Sequence, residues 1–79
     1  MAYSYSFSML TGNYEFYLEW GVDTFEKADS KLKDIARAYC RNPWNKGVGK
    51  IFGEDGRELI RYNVAKEEEG VRFEELNRL

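Results

Sequence analysis

The sequence predicts an α+β two-layer sandwich: a four-stranded, mainly antiparallel sheet in β-β-α-β-β order, covered on one face by one helix. Three observations carry this. Two segments near the start alternate apolar and polar residues with period two. A central segment repeats its apolar residues at three-and-four spacing, and two later apolar runs are joined by Asp55-Gly56. The 79 residues are read as a single domain, 1–79, because two independent cores would each be too small to offset their chain entropy.

Residues 3–11, YSYSFSMLT, place Tyr3, Tyr5, Phe7 and Met9 on one face and Ser4, Ser6 and Ser8 on the other. Residues 14–20, YEFYLEW, place Tyr14, Phe16, Leu18 and Trp20 opposite Glu15, Tyr17 and Glu19. Both patterns are those of half-buried strands. Gly12-Asn13 between them suits a two-residue type II′ turn. That turn sets Met9 across from Phe16, Phe7 from Leu18 and Tyr5 from Trp20, so both apolar sets share one face, and a slip of one residue would part them. A three-residue loop with a bulge is the competing arrangement.

The helix is expected over 24–41. Asp23 caps its first turn and Glu26 reaches back to the cap, with Thr24 as the alternative cap. Phe25, Ala28, Leu32, Ile35, Ala36 and Tyr39 form its apolar stripe. Lys27, Lys31 and Asp34 lie opposite, and Arg37 and Arg41 suit the negative end of the dipole. Asn42-Pro43 stops it, because the residue before a proline is pushed out of the α region. Residues 42–49, NPWNKGVG, read as a pliable loop presenting Trp44.

Strands at 50–53 and 58–64 follow, joined through Asp55-Gly56 as a type I′ pair. This register opposes Phe52 with Leu59, Ile51 with Ile60 and Lys50 with Arg61. Residues 65–69, AKEEE, are charged. The last nine, VRFEELNRL, fit two patterns: Val71 and Phe73 alternate as in a strand, whereas Phe73, Leu76 and Leu79 fit a short helix over 73–79, the preferred reading.

Composition narrows the chemistry. Histidine is absent, which removes the commonest general base and metal ligand. The single cysteine, Cys40, excludes paired-thiolate zinc patterns and an intramolecular disulfide. It borders the apolar stripe and reads as a small buried hydrophobe. Glu15 and Glu19 are about 13 Å apart by strand rise, too far to share a site. Glu67, Glu68, Glu69, Glu74 and Glu75 read as solvated charge, and Gly47-Val48-Gly49-Lys50 lacks the spacing and following helix of a phosphate loop. The chain is expected to be non-enzymatic, without cofactor or metal. The start carries no basic leader, and no stretch approaches the roughly 18 apolar residues of a membrane span. A cytoplasmic setting without membrane contact is expected.

One helix covers one side of such a sheet, so the other side is solvated or meets something. On these registers that outer face collects Ser4, Ser6, Ser8, Leu10, Glu15, Tyr17 and Glu19 from the first hairpin, and Lys50, Phe52, Leu59 and Arg61 from the second. Phe52 and Leu59 beside Tyr17 make an apolar patch of interface character. Lys50 facing Arg61 disfavours the sheet by a few tenths to about 1 kcal/mol unless an anion compensates. Glu54, Glu15 or Glu19, or a partner's phosphate or carboxylate, are the candidates.

The expected function is a non-catalytic protein-interaction module, homodimeric or a small modulator or inhibitor of a larger protein. Its contact residues are expected to be Tyr17, Trp44, Lys50, Phe52, Leu59 and Arg61. The competing cover for this face is the C-terminal segment itself, through Phe73 and Leu76. Two other readings remain. Single-stranded nucleic acid would use the aromatic and basic residues of the same face, against a net charge of −2. An acidic nucleic-acid mimic would rest on the slight excess of 14 acidic over 12 basic residues.

Overall fold

The computed structural model describes residues 2–9, 15–42 and 45–76, with 15–17 described by their backbone alone. The elements are β1 (Tyr3–Met9), β2 (Glu15–Val22), α1 (Phe25–Tyr39), β3 (Gly47–Phe52), β4 (Glu58–Glu67) and β5 (Gly70–Leu76). The fold is α+β, with one helix packed against an antiparallel sheet and the expected β-β-α-β-β succession. Strand order is β2-β1-β3-β4-β5, and every neighbouring pair runs antiparallel.

The sheet is one strand wider than expected, because the C-terminal segment is a strand and not the short helix preferred for 73–79. It returns along β4 with Glu67 opposite Gly70 and Val64 opposite Phe73. Pairing with β4 gives its backbone a ladder and sends Val71 and Phe73 onto the core. A helix of so few residues would have to rely on tertiary contacts alone. Residues 77–79 lie outside the described residues, as do the Gly12-Asn13 turn and Trp44.

The helix starts at Thr24, not Asp23: Thr24 Oγ1 accepts from the Lys27 amide at 3.1 Å. Asp23 instead pairs with the Lys27 ammonium at 3.2 Å. Ala28, Leu32, Ala36 and Cys40 lie buried beneath α1 against Tyr5, Phe7, Ile51, Tyr62 and Val64 of the sheet. The stretch read as a pliable loop ends earlier than expected, since β3 begins at Gly47 rather than Lys50. Its glycines face inward and make room for larger neighbours. A Cβ on Gly47 would overlap the Phe7 ring, 2.8 Å from Cε1, and one on Gly49 would stand 3.0 Å from the Leu32 methyls.

Two tyrosines tie the helix flanks to the sheet. Tyr5 Oη donates to Glu19 Oε1 at 2.5 Å, and Lys31 reaches the same carboxylate at 3.2 Å. On the other flank Tyr62 Oη donates to Asp29 Oδ1 at 2.6 Å, and Lys33 pairs with Asp29 at 3.0 Å. Among the described residues, no helix is long and apolar enough to cross a membrane.

Candidate functional site on the outer sheet face

The face away from the helix runs across the whole sheet, and bulges in β2 and β4 reset the alternation there. In the first hairpin, Tyr3 pairs with Val22, but Tyr5 pairs with Glu19, Ser6 with Leu18 and Phe7 with Tyr17. The register slips by one residue opposite Ser4, at Trp20-Gly21, where Gly21 adopts φ 72°. An extra residue in one strand reverses the facing of everything beyond it. Val22 therefore stays in the core, while Leu18 and Trp20, expected inside, come to the outer face. They are 41% and 72% exposed. Glu19, expected outside, takes the inner place beside Tyr5.

The second hairpin keeps the expected pairs Ile51–Ile60 and Lys50–Arg61 but not Phe52–Leu59: Phe52 pairs with Glu58. Its turn is not type I′, which needs positive φ at both central residues. Among the described residues positive φ occurs only at glycines, here Gly56 at 81°. The Gly56 amide donates to the Gly53 carbonyl at 3.0 Å, and the Gly53 amide to the Arg57 carbonyl at 2.9 Å. This is the three-residue loop closed by a left-handed glycine, and it leaves Leu59 as the extra residue in β4. Leu59 stays at the surface, 43% exposed.

That bulge also supplies the missing countercharge. Residues three apart on a regular strand face opposite ways, but the extra residue puts Glu58 and Arg61 on one side. Arg61 Nε and Nη2 donate to the two Glu58 oxygens at 3.0 and 2.9 Å. The bidentate pair raises the guanidinium pKa above its ordinary value. Glu58, rather than Glu54, Glu15 or Glu19, thus offsets the Lys50–Arg61 juxtaposition.

The face divides into two halves. Leu18, Trp20 and Phe52 surround a shallow depression of about 200 Å³ over Ser4 and Gly56, whereas Leu59 lies against Gly53 at the end of the second hairpin. The other end is polar, with a depression of about 290 Å³ among residues that include Lys46, Asn63, Glu67, Arg72 and Glu74. β5 extends the sheet sideways, so the described C-terminal segment does not fold over this face. Phe73 packs edge-on against Tyr62 on the helix side, 6.0 Å between centroids.

Of the residues expected to form the site, Lys50, Phe52 and Arg61 stand on this face, and Leu59 is the exposed bulge residue at the hairpin end. Tyr17 holds the register place opposite Phe7 that was assigned to Leu18, its side chain lying outside the described residues. Sequence reasoning missed Leu18 and Trp20. The signal for them was Gly21, a glycine at the end of an alternating strand, where a bulge is a standing alternative. No protein-family model matches the chain, and neither a curated protein nor a solved structure matches it.

Proposed function

We propose that this chain is a non-catalytic protein-binding module, a modulator or inhibitor in kind, whose contact surface is the apolar corner of the outer sheet face. One observation carries the reading. Leu18 and Trp20, large hydrophobics exposed among the described residues, gather with Phe52 around one depression of the outer sheet face. Scattered exposed hydrophobics are ordinary, whereas a contiguous group marks an interaction surface. Trp20 is the natural anchor: a tryptophan ring hides about 150–250 Å² when covered, worth several kcal/mol at about 25 cal/mol per Å² before association costs.

Lys50 and the Arg61–Glu58 pair border the corner as a polar rim, which favours orientation over affinity. A reducing, cytoplasmic setting accords with this reading, since the lone Cys40 is buried and burial pushes its thiol pKa up, away from reactivity. Single-stranded nucleic acid fits less well. Trp20 offers a ring for stacking, but the neighbouring guanidiniums are already matched, Arg61 by Glu58 and Arg57 by Asp55. A photoreactive amino acid placed at position 20 in the producing cell is expected to give covalent adducts with protein, a second copy included. Adducts with nucleic acid alone, or none, would overturn the reading.

A further inference from the structure

We infer that β5 pairs with the β5 of a second copy, antiparallel about a two-fold axis at Phe73, so that two sheets become one. This surface is separate from the apolar corner and goes beyond the reading above. The first support is the backbone. Glu67 and Gly70 close a two-residue loop and exchange both their hydrogen bonds, and the ladder alternates from there. Arg72, Glu74 and Leu76 therefore bond to β4, while Val71, Phe73 and Glu75 turn their N–H and C=O groups outward. Among the described residues, β5 makes no backbone hydrogen bond beyond that ladder.

The second support is that this edge is left open. β2, the opposite edge, is interrupted by two register shifts against β1, and bulges turn an edge away from pairing. β5 runs against β4 over seven residues, Gly70–Leu76, without a shift. The helix lies over β1, β3 and β2. Lys33 and Arg37 extend from it toward β5, their charged ends 5.7 and 5.4 Å from the centre of the Phe73 ring.

The third support is charge, which also selects the register. With the axis at Phe73, Arg72 stands opposite the partner's Glu74 on the outer face, and the partner's Arg72 opposite Glu74, as an isologous contact requires. Val71 stands opposite the partner's Glu75 on the helix side, where Arg37 and Val71 line one depression. The incoming carboxylate thus arrives beside Arg37, whose exposed bond to Asp34 at 3.4 Å is a weak competitor. Glu67, bonded to Arg72 at 3.3 Å, shares the polar depression with Lys46, so the outer charges stay matched. Glu68 and Glu69 lie in the loop beyond Gly70, which faces the partner's Leu76, and fall outside the paired strands. Moving the axis by one residue would set Arg72 against Arg72, or Glu74 against Glu74. Like charges directly opposite disfavour both alternatives.

Light scattering of the purified chain from micromolar to millimolar concentration tests this. The expected mass is twice 9.3 kDa. Arg72→Glu and Glu74→Arg, both at exposed positions, each set like charges across the axis. Each is expected to weaken association at least tenfold, with an unchanged circular dichroism spectrum. Mixed in equal amounts, the two variants place opposite charges across both pairs and are expected to regain the native mass. A mass of 9.3 kDa throughout, a dimer indifferent to either substitution, or a mixture that stays monomeric overturns the inference. Position 20 lies on the opposite edge strand, so its adducts bear on the protein-binding reading and not on this one.

Discussion

At the scale of single residues, the two tyrosine–carboxylate contacts have different electrostatic consequences. Glu19 is held below the ordinary carboxylate range, first by the Tyr5 hydroxyl and then by Lys31. Its contribution is present at neutral pH and is lost as acid protonates the folded carboxylate. Tyr62 moves the other way: burial, then its bond to Asp29, raises the phenol above its ordinary 10.0. A raised folded pKa means stability that is complete below about pH 10 and drains as pH climbs past it. Chemical denaturation at neutral pH and near pH 11 is expected to show a larger alkaline loss in the native chain than in Tyr62→Phe. Equal losses would mean that Tyr62 ionises as freely folded as unfolded.

At the scale of elements, β2 shows how little a strand's own alternation decides about its facing. Tyr14, Phe16, Leu18 and Trp20 alternate without interruption, yet Leu18 and Trp20 stand outside because the bulge at Gly21 intervenes between them and buried Val22. Gly21 tolerates φ 72°, and a Cβ there meets nothing within 4 Å. The cost of Gly21→Val is therefore backbone strain alone, about 1–2 kcal/mol. Thermal unfolding is expected to fall by roughly 4–8 °C for each kcal/mol lost. An unshifted midpoint would show that β2 reaches Val22 without the left-handed residue. The bulge at Leu59 needs no left-handed residue, and it joins Glu58 to Arg61 on one face.

At the scale of the whole molecule, the described residues form one helix and five strands, and the buried cluster lies between helix and sheet. Adding β5 widened the sheet without covering its other side, so the apolar corner is a property of the assembled sheet rather than of either hairpin. If two copies join along β5, dimerisation stabilises the folded state by mass action. The melting temperature is then expected to rise with protein concentration in the native chain and to be independent of it in Arg72→Glu. A concentration-independent melt in both would speak against a second copy at that edge.

Much of the fold was legible in the chain itself. Period-two alternation marked β1 and β2, and three-and-four spacing marked the buried stripe of α1; the Lys50–Arg61 and Ile51–Ile60 pairs, expected from a type I′ turn, hold because the three-residue loop and the Leu59 bulge offset one another. These are local patterns, fixed by the geometry of the element that carries them. Lys50, Phe52 and Arg61 were placed on the outer face by the same means. Tertiary structure decided what periodicity does not contain: where each bulge sits, and which edge the last segment joins. The Gly21 bulge exists only against β1, and it exchanged Glu19 for Leu18 and Trp20. Val71 and Phe73 became strand residues because β4 offered an unpaired edge. Local sequence determines which face of a strand is apolar, but the register against its neighbour determines whether that face is the inside.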